Sequence, residues 1–503
     1  MQATNISSTF YLGEQLQMAS FQATGERLLY DMNALSTHGV IFGMSGMGKT
    51  ELGLVLLEEA ILAQVPIIVL DILGDANNLL LSFPQQRAED FVPWLSEESA
   101  QRQEQTIESF AEDVAAKRRT ALQAAGLGSD DIQRLRDHSA IRIYTPGSDA
   151  GIPVNLLDTS VLHSVRPGQQ DIDEDAIRTF VTALLNFADM PNLTETDREH
   201  VLISQIILVT LQNGKTLNLV ELIATIPQPP FAELGMMLLD TAFPEKDRIA
   251  LAIQLNNLLA SPSNAIWMKG QPLDFQTMLY TDEGQPTVCI FHLAHLDNHL
   301  QLSTAAVIMS RLTDWMHQQA GMSNLHALLY INEIYGFIPP VANPPTRNPL
   351  DRLLKEGRAF GVGLLMATAD PGDLNYRALS NAGTWFLGKL RVDSGHSRMR
   401  DILEGINNAQ APLDIDAIEE IIESLPKDAF LLHNIHNPAT PLLMKVRPAM
   451  SYPYGPMTLQ QIHAISTRQA QGADIQANAS VVETKLVPLR PDTLPEFTSQ
   501  TQG

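Results

Sequence analysis

Eight consecutive residues, Gly43-Met44-Ser45-Gly46-Met47-Gly48-Lys49-Thr50, constrain this chain more than any other segment. They fit G-x-x-x-x-G-K-[ST], the pattern of a loop that cradles phosphate. The glycines at 43, 46 and 48 let the backbone curl so that successive N–H groups aim at phosphate oxygens. Lys49 is placed to reach β and γ phosphates, and the Thr50 hydroxyl to ligate Mg²⁺. At average glycine usage a chance match is roughly a one-in-a-hundred event. The flanks supply the required context. His38-Gly39-Val40-Ile41-Phe42 reads as a short buried strand, and Leu52, Val55, Leu56 and Ala60 recur at helical spacing.

The 503 residues hold about two to four average domains, or one large domain with insertions. With 45% hydrophobic and 18% charged residues, a sizeable core is feasible. The formal charge of -24 excludes a chain whose whole surface binds nucleic acid, but leaves room for a local basic loop. The single cysteine, Cys289, lies in the apolar run Val288-Cys289-Ile290-Phe291 and reads as a core thiol. The polar start Met1-Gln2-Ala3-Thr4-Asn5 lacks a basic-then-apolar signal, and no apolar stretch reaches membrane-spanning length. The expectation is a soluble, cytoplasmic protein with no disulfide framework.

Residues 1–37 read as a short lead-in, with a turn around Phe10 to Gly13. Pro66-Ile67-Ile68-Val69-Leu70, ending on Asp71, suits a parallel strand buried on both faces. Residues 99–137 are charged, Ala-rich and helical in pattern; Ile141 to Tyr144 then reads as a strand. From about 160 to 285 the chain reads as an all-α insertion. Strands resume at Thr287–Phe291, followed by a helix over about 301–318 and further strands at 327–331, 362–367, 384–390, 429–433 and 442–446. Strands alternating with helices predict an α/β fold with a mostly parallel, doubly wound sheet spanning 38–465. Residues 466–503 form a polar tail with little to bury, expected to be disordered.

Hydrolysis of a bound phosphoanhydride needs a metal-organising acid and a water-positioning base at the end of a neighbouring strand. Leu328-Leu329-Tyr330-Ile331-Asn332-Glu333 supplies the candidate. Glu333 stands where a carboxylate polarises water. Asn332 occupies the place usually held by Asp, and without charge it should hold Mg²⁺ more weakly. Asp71 and Asp75 are weaker candidates, each also readable as a helix cap or turn former.

Together these residues carry a resemblance to the HerA/FtsK-type hexameric ATPases, RecA-like P-loop motors, and most closely to bacterial HerA-like proteins. THGVIFGMSGMGKTELGLVLLEEA from Thr37 is similar to that family's strand–loop–helix. Phe10-Tyr11-Leu12-Gly13 resembles its lead-in, and Asp71 to Asp75 followed by ANNLLLSFP its D-x-x-G-D segment. INEIYGFIPPVANPPTRNPL from Ile331 resembles its second acidic motif. LLKEGRAFGVGLLMATADPGDLNYRALSNAGTWFLGKL from Leu353 resembles its arginine-bearing helix, sensor strand and final core strand. The likeness runs from about residue 10 to about 460, through Tyr452-Pro453-Tyr454-Gly455-Pro456.

The resemblance implies ATP and Mg²⁺ as cofactors. Gly43, Met44, Ser45, Gly46, Met47, Gly48, Lys49 and Thr50 would hold the triphosphate, with Thr50 and Asn332 on the metal side. Glu333 would be the catalytic base. Arg358 would be presented to a γ-phosphate, often across a subunit boundary, where a guanidinium neutralises charge that spreads in the transition state. The implied assembly is a hexameric ring acting on DNA, with a nuclease or other effector as partner.

Three departures stand out. Asn332 replaces the acid, Ala369 stands where the family usually has Gln, and Met47 replaces a small polar loop residue. Relatives of this kind often run on well past Pro495, so the resemblance also implies a short paralogue or the front part of a split pair. Two functions follow: a DNA-translocating ATPase, or an ATP-binding regulatory or scaffold subunit with weak or no hydrolysis. A small-molecule kinase or GTPase is disfavoured, because the guanine-reading [NT]-K-x-D tetrad is missing.

Overall fold

The computed structural model describes residues 8–163, 172–191, 193–261, 265–339, 341–369, 381–390, 400, 403–405, 407, 414–437 and 439–470. Its strands, in chain order, begin with β1 (Thr9–Leu16), β2 (Ala23–Asp31), β3 (Gly39–Phe42), β4 (Ile67–Asp71) and β5 (Ala140–Tyr144). Four two-residue strands follow: β6 (Val154–Asn155), β7 (Glu233–Leu234), β8 (Met237–Leu238) and β9 (Gln271–Pro272). The rest are β10 (Thr287–His292), β11 (Met322–Ile331), β12 (Phe360–Thr368), β13 (Thr384–Leu387), β14 (Ala429–Asn434) and β15 (Leu442–Val446).

Eleven of these form one sheet in the order β2-β1-β15-β14-β13-β3-β12-β11-β4-β10-β5. From β13 to β5 every neighbour is parallel, and β14, β15, β1 and β2 continue the sheet antiparallel. Side chains on a strand point alternately to the two faces. Val40 and Phe42 of β3 therefore join one core with Ile68, Leu70, Leu329 and Ile331. Ile41 joins the other with Ile67, Val69 and Leu328. Each central strand is apolar on both faces, so both must be covered, and the fold is a doubly wound α/β sheet of the expected kind. Helix α1 (Lys49–Leu62) packs on the second face. Helices Glu174–Phe187, Arg198–Gln212 and Asn298–His317 cover the first.

The lead-in differs from expectation. Phe10 to Gly13 lies inside β1, which pairs with both β2 and β15. Gly13 permits this: a Cβ there would lie 2.0 Å from the Lys445 carbonyl oxygen. The insertion is mostly helical but not wholly so, since it holds β7 paired with β8, and β9, which pairs with β6 just before it. Residues Leu459–Ala470 form a helix that takes in the first residues assigned to the tail, and the remainder of that tail lies outside the described residues. Cys289 is fully buried with its thiol pushed up to about 11 by that burial. No described helix is long and apolar enough to cross a membrane.

Arg447 fastens the antiparallel flank to α1. Its guanidinium pairs with Glu58 and Glu59 at 2.9 Å each, and its Nε donates to the Tyr11 carbonyl. Arg447 and Glu58 are sealed from solvent, and Glu58 also accepts from Ser451 and from the Met450 and Ser451 backbone. A buried carboxylate tolerates this only because every lone pair finds a donor.

His38, just before β3, is buried and neutral in this arrangement. Its Nδ1 accepts from the Leu364 N–H, which leaves Nε2–H to donate to the Leu354 carbonyl, each at 3.1 Å. Burial, the larger cause, pushes the imidazole down to about 4, and the nearby Arg358 charge adds to it. The unfolded chain takes up a proton near pH 6.5, whereas the folded one does not until about 4. The stabilisation is thus complete above 6.5 and is lost as pH falls through that window, by up to about 3 kcal/mol. Urea unfolding at pH 7 and pH 5 reads this loss, and His38→Gln should flatten the pH slope relative to the unaltered chain.

Candidate nucleotide site at the strand ends

The carboxyl ends of β3, β12, β11 and β4 lie side by side, where ligands bind in open α/β sheets. The phosphate loop leaves β3 and enters α1 at Lys49. Gly46 and Gly48 take positive φ, +79° and +101°. A Cβ on Gly48 would come within 2.5 Å of an Asp428 carboxylate oxygen, whereas one on Gly46 would meet nothing within 4 Å. The loop is rigid on one side and open on the other. Its outer side is braced by three strand ends: Gly43 N–H donates to Thr368, Met44 N–H to Lys389, and Asp428 N–H to the Met47 carbonyl. The Met47 N–H itself closes a turn onto Met44.

Lys49 folds over the loop and donates to the Gly43 carbonyl at 2.6 Å. Burial pulls its ammonium below the usual lysine range, while Glu333 and Asp75 act to raise it. The loop, Glu333 and Asp75 therefore share one electrostatic neighbourhood. Glu333 is partly buried just beyond β11, and one of its oxygens accepts from the Tyr335 N–H at 3.3 Å. The Tyr330 hydroxyl lies against Gly53 on α1: a Cβ there would be only 2.2 Å away. That close approach brings α1 down onto β11.

Thr50 donates its hydroxyl hydrogen to Asp75 Oδ2 at 3.0 Å. Asn332 lies between two acids, its Nδ2 donating to Asp71 Oδ1 at 2.6 Å and to Asp75 Oδ1 at 2.7 Å. Its Oδ1 accepts from the Ile72 and Leu73 N–H groups. Asp71 also gathers the Gly74, Asp75 and Ala76 N–H groups, so it shapes the turn after β4, one of the two roles open to it from sequence. Burial and the Asp71 charge push Asp75 up to about 6.

Arg358 is exposed and precedes β12, at the end away from the loop. A nine-residue strand spans roughly 30 Å, so this arginine does not join its own chain's site. Ala369 follows β12 at the loop end and offers no polar side chain. No sequence pattern marks Asp428 or Lys389 as braces, because neither belongs to a phosphate-binding motif. Asp75 carried only the weak signal of an acid after a buried strand.

Residues 12–224 match the sequence-family model described as "Helicase HerA, central domain". That part of the chain, phosphate loop included, is HerA-like. Among solved structures, VirB4 of Thermoanaerobacter pseudethanolicus aligns with 12% identity over 89% of this chain and 99% of its own, at a TM-score of 0.50. The bacterial conjugative coupling protein TrwB aligns with 11% identity over 88% of this chain and 91% of its own, at 0.47. TrwB in complex with ADP and Mg²⁺ aligns with 12% identity over 88% and 92%, at 0.44. No curated protein matches by sequence. The HerA-like segment and the strand order together make this a RecA-like P-loop ATPase fold.

Proposed function

We propose that this HerA-like chain hydrolyses ATP and couples the reaction to movement along DNA, as one subunit of a ring. The observation that carries the reading is the open glycine loop with Lys49 and Thr50 at its exit, sharing its neighbourhood with Glu333. The fit to Mg²⁺ rests on the donor set: a threonine hydroxyl beside a carboxylate, hard oxygen ligands of the kind this ion takes. When bound, Mg²⁺ neutralises charge on the β and γ phosphates. Lys49 leaves the Gly43 carbonyl for phosphate oxygens, the loop N–H groups hold the remaining oxygens, and Glu333 orients the attacking water and accepts its proton. The exposed, distant Arg358 serves hydrolysis only if it reaches a neighbouring subunit's nucleotide, which favours a ring. The cytoplasm, where ATP and DNA meet, is the compartment that goes with this reading, and a nuclease or other effector is the kind of partner it calls for.

A second reading, an ATP-binding scaffold subunit, is favoured by Asn332 and Ala369, which lack the charge and the donor expected there. Steady-state ATP turnover with and without double-stranded DNA separates the two. The motor predicts turnover that DNA stimulates. It also predicts that inactive Lys49→Ala and Arg358→Ala proteins regain turnover when mixed, since one supplies the arginine and the other the loop. Tight ATP binding with no turnover in any mixture establishes the scaffold instead.

A further inference from the structure

Asn332 looks in sequence like a metal-organising acid that has been lost. The hydrogen bonds around it describe something else. Both of its amide hydrogens are spent on carboxylates, and its carbonyl oxygen faces two backbone N–H groups. No polar atom of that side chain is left to hold a metal-bound water. We infer that the acid has moved: Asp75, on the turn after β4, is the metal-side partner of Thr50, and Asn332 is the positioning residue that makes its placement possible. The inference rests on the nucleotide-site reading above.

Two features of Asp75 support the assignment. First, it takes the hydrogen of the Thr50 hydroxyl. A hydroxyl that donates its only hydrogen to a carboxylate keeps its lone pairs for a cation. Second, the acid is held in place from behind. Its N–H is fixed to Asp71 Oδ1 at 3.1 Å, and its Oδ1 takes the Asn332 amide. Asp71 cannot substitute for it. That residue is fully buried and already engaged by three backbone N–H groups, by Asn332 and by Asn77, with His292 at 3.5 Å.

The charges explain why position 332 is an amide. Asp71 and Asp75 both reach the same nitrogen, at 2.6 and 2.7 Å. An aspartate there would place a third carboxylate against two others, with no hydrogen to bridge them. Asparagine is the isosteric residue that donates to both. Among the described residues no group of three or more His, Cys, Asp and Glu side chains is arranged to cage a metal. Magnesium needs no such cage, because substrate phosphates and water fill most of its shell.

The test is calorimetry of ATP binding to the full chain, with Mg²⁺ and again in excess chelator, joined to paramagnetic resonance of Mn²⁺ with ADP present. The unaltered protein should bind ATP in both conditions and more tightly with Mg²⁺. Asp75→Asn should let the metal-free affinity hold or tighten, because a negative charge near Lys49 is removed, but should cut the Mg²⁺-dependent gain by about tenfold or more and weaken the Mn²⁺ signal, as expected when a charged partner becomes neutral. Asn332→Asp should not raise the Mg²⁺-dependent gain. The inference is overturned if Asp75→Asn keeps the full gain, or if Asn332→Asp increases it, as a restored metal acid would. If Asn332→Asp does not fold by circular dichroism, the Asp75→Asn measurement decides alone. Absence of ATP binding by the unaltered protein in both conditions would instead remove the nucleotide-site reading itself.

Discussion

Alanine at position 49 should weaken ATP binding by this protein about a hundredfold or more while leaving its fold intact. The ammonium of Lys49 is partly desolvated in the loop and has the Gly43 carbonyl as its hydrogen-bond partner among the described contacts. On the proposed reading, a bound nucleotide would take it from that carbonyl to phosphate oxygens. Hydrogen bonds to charged groups contribute about 1.5–3 kcal/mol each, so losing the contacts to β and γ phosphates weakens binding by roughly a hundredfold or more. The apo protein loses one short bond and also sheds the burial of a lysine, so its unfolding free energy should change by less than about 1 kcal/mol. Titration calorimetry and a urea melt on the same sample read the two effects separately. Unaltered ATP affinity would mean that the triphosphate does not lie on this loop.

The second large effect is on turnover. Glutamine at 333 keeps the shape and the bond to the Tyr335 N–H but cannot accept a proton. General-base contributions are typically 10²–10⁴-fold, so phosphate release should fall by about that range. ATP affinity should hold or tighten, because the substitution removes a negative charge near Lys49 that would otherwise repel the γ-phosphate. Rapid-quench single turnovers with ATP distinguish a lost chemical step from slowed release. Turnover equal to that of the unaltered protein would remove Glu333 from the mechanism.

Parallel strands buried on both faces announce themselves as unbroken apolar runs, so Ile67 to Leu70, Val288 to Phe291 and Leu328 to Ile331 were legible. β1 was not. Its run Phe10-Tyr11-Leu12-Gly13-Glu14 mixes apolar and polar residues, and its glycine suggests a turn. The same glycine is there because the Lys445 backbone approaches too closely for a side chain. That reason lies more than 400 residues away in the sequence. The two-residue strands inside the helical insertion are too short to leave a pattern.

The site divides the same way. The loop residues are consecutive, and their chemistry is local, so the motif gave them directly. The partnership of Thr50, Asp75 and Asn332 joins three segments. It depends on which oxygen faces which hydrogen, a matter that spacing along the chain does not encode. Reading position 332 alone suggested a deficit. Reading it beside Asp71 and Asp75 shows an amide between two acids.

The pairing of β1 with β15 sets a timetable for biosynthesis. Leu16 lies opposite Leu443, so β1 leaves the ribosome more than 400 residues ahead of the strand it pairs with. At about 5–20 residues per second, that interval runs from roughly twenty seconds to more than a minute. Throughout it the nascent β1–β2 hairpin shows an unpaired edge, and neither α1 nor Tyr11 has met Arg447. A holding chaperone that shields this hairpin during translation should therefore raise the yield of native protein more than one added after release.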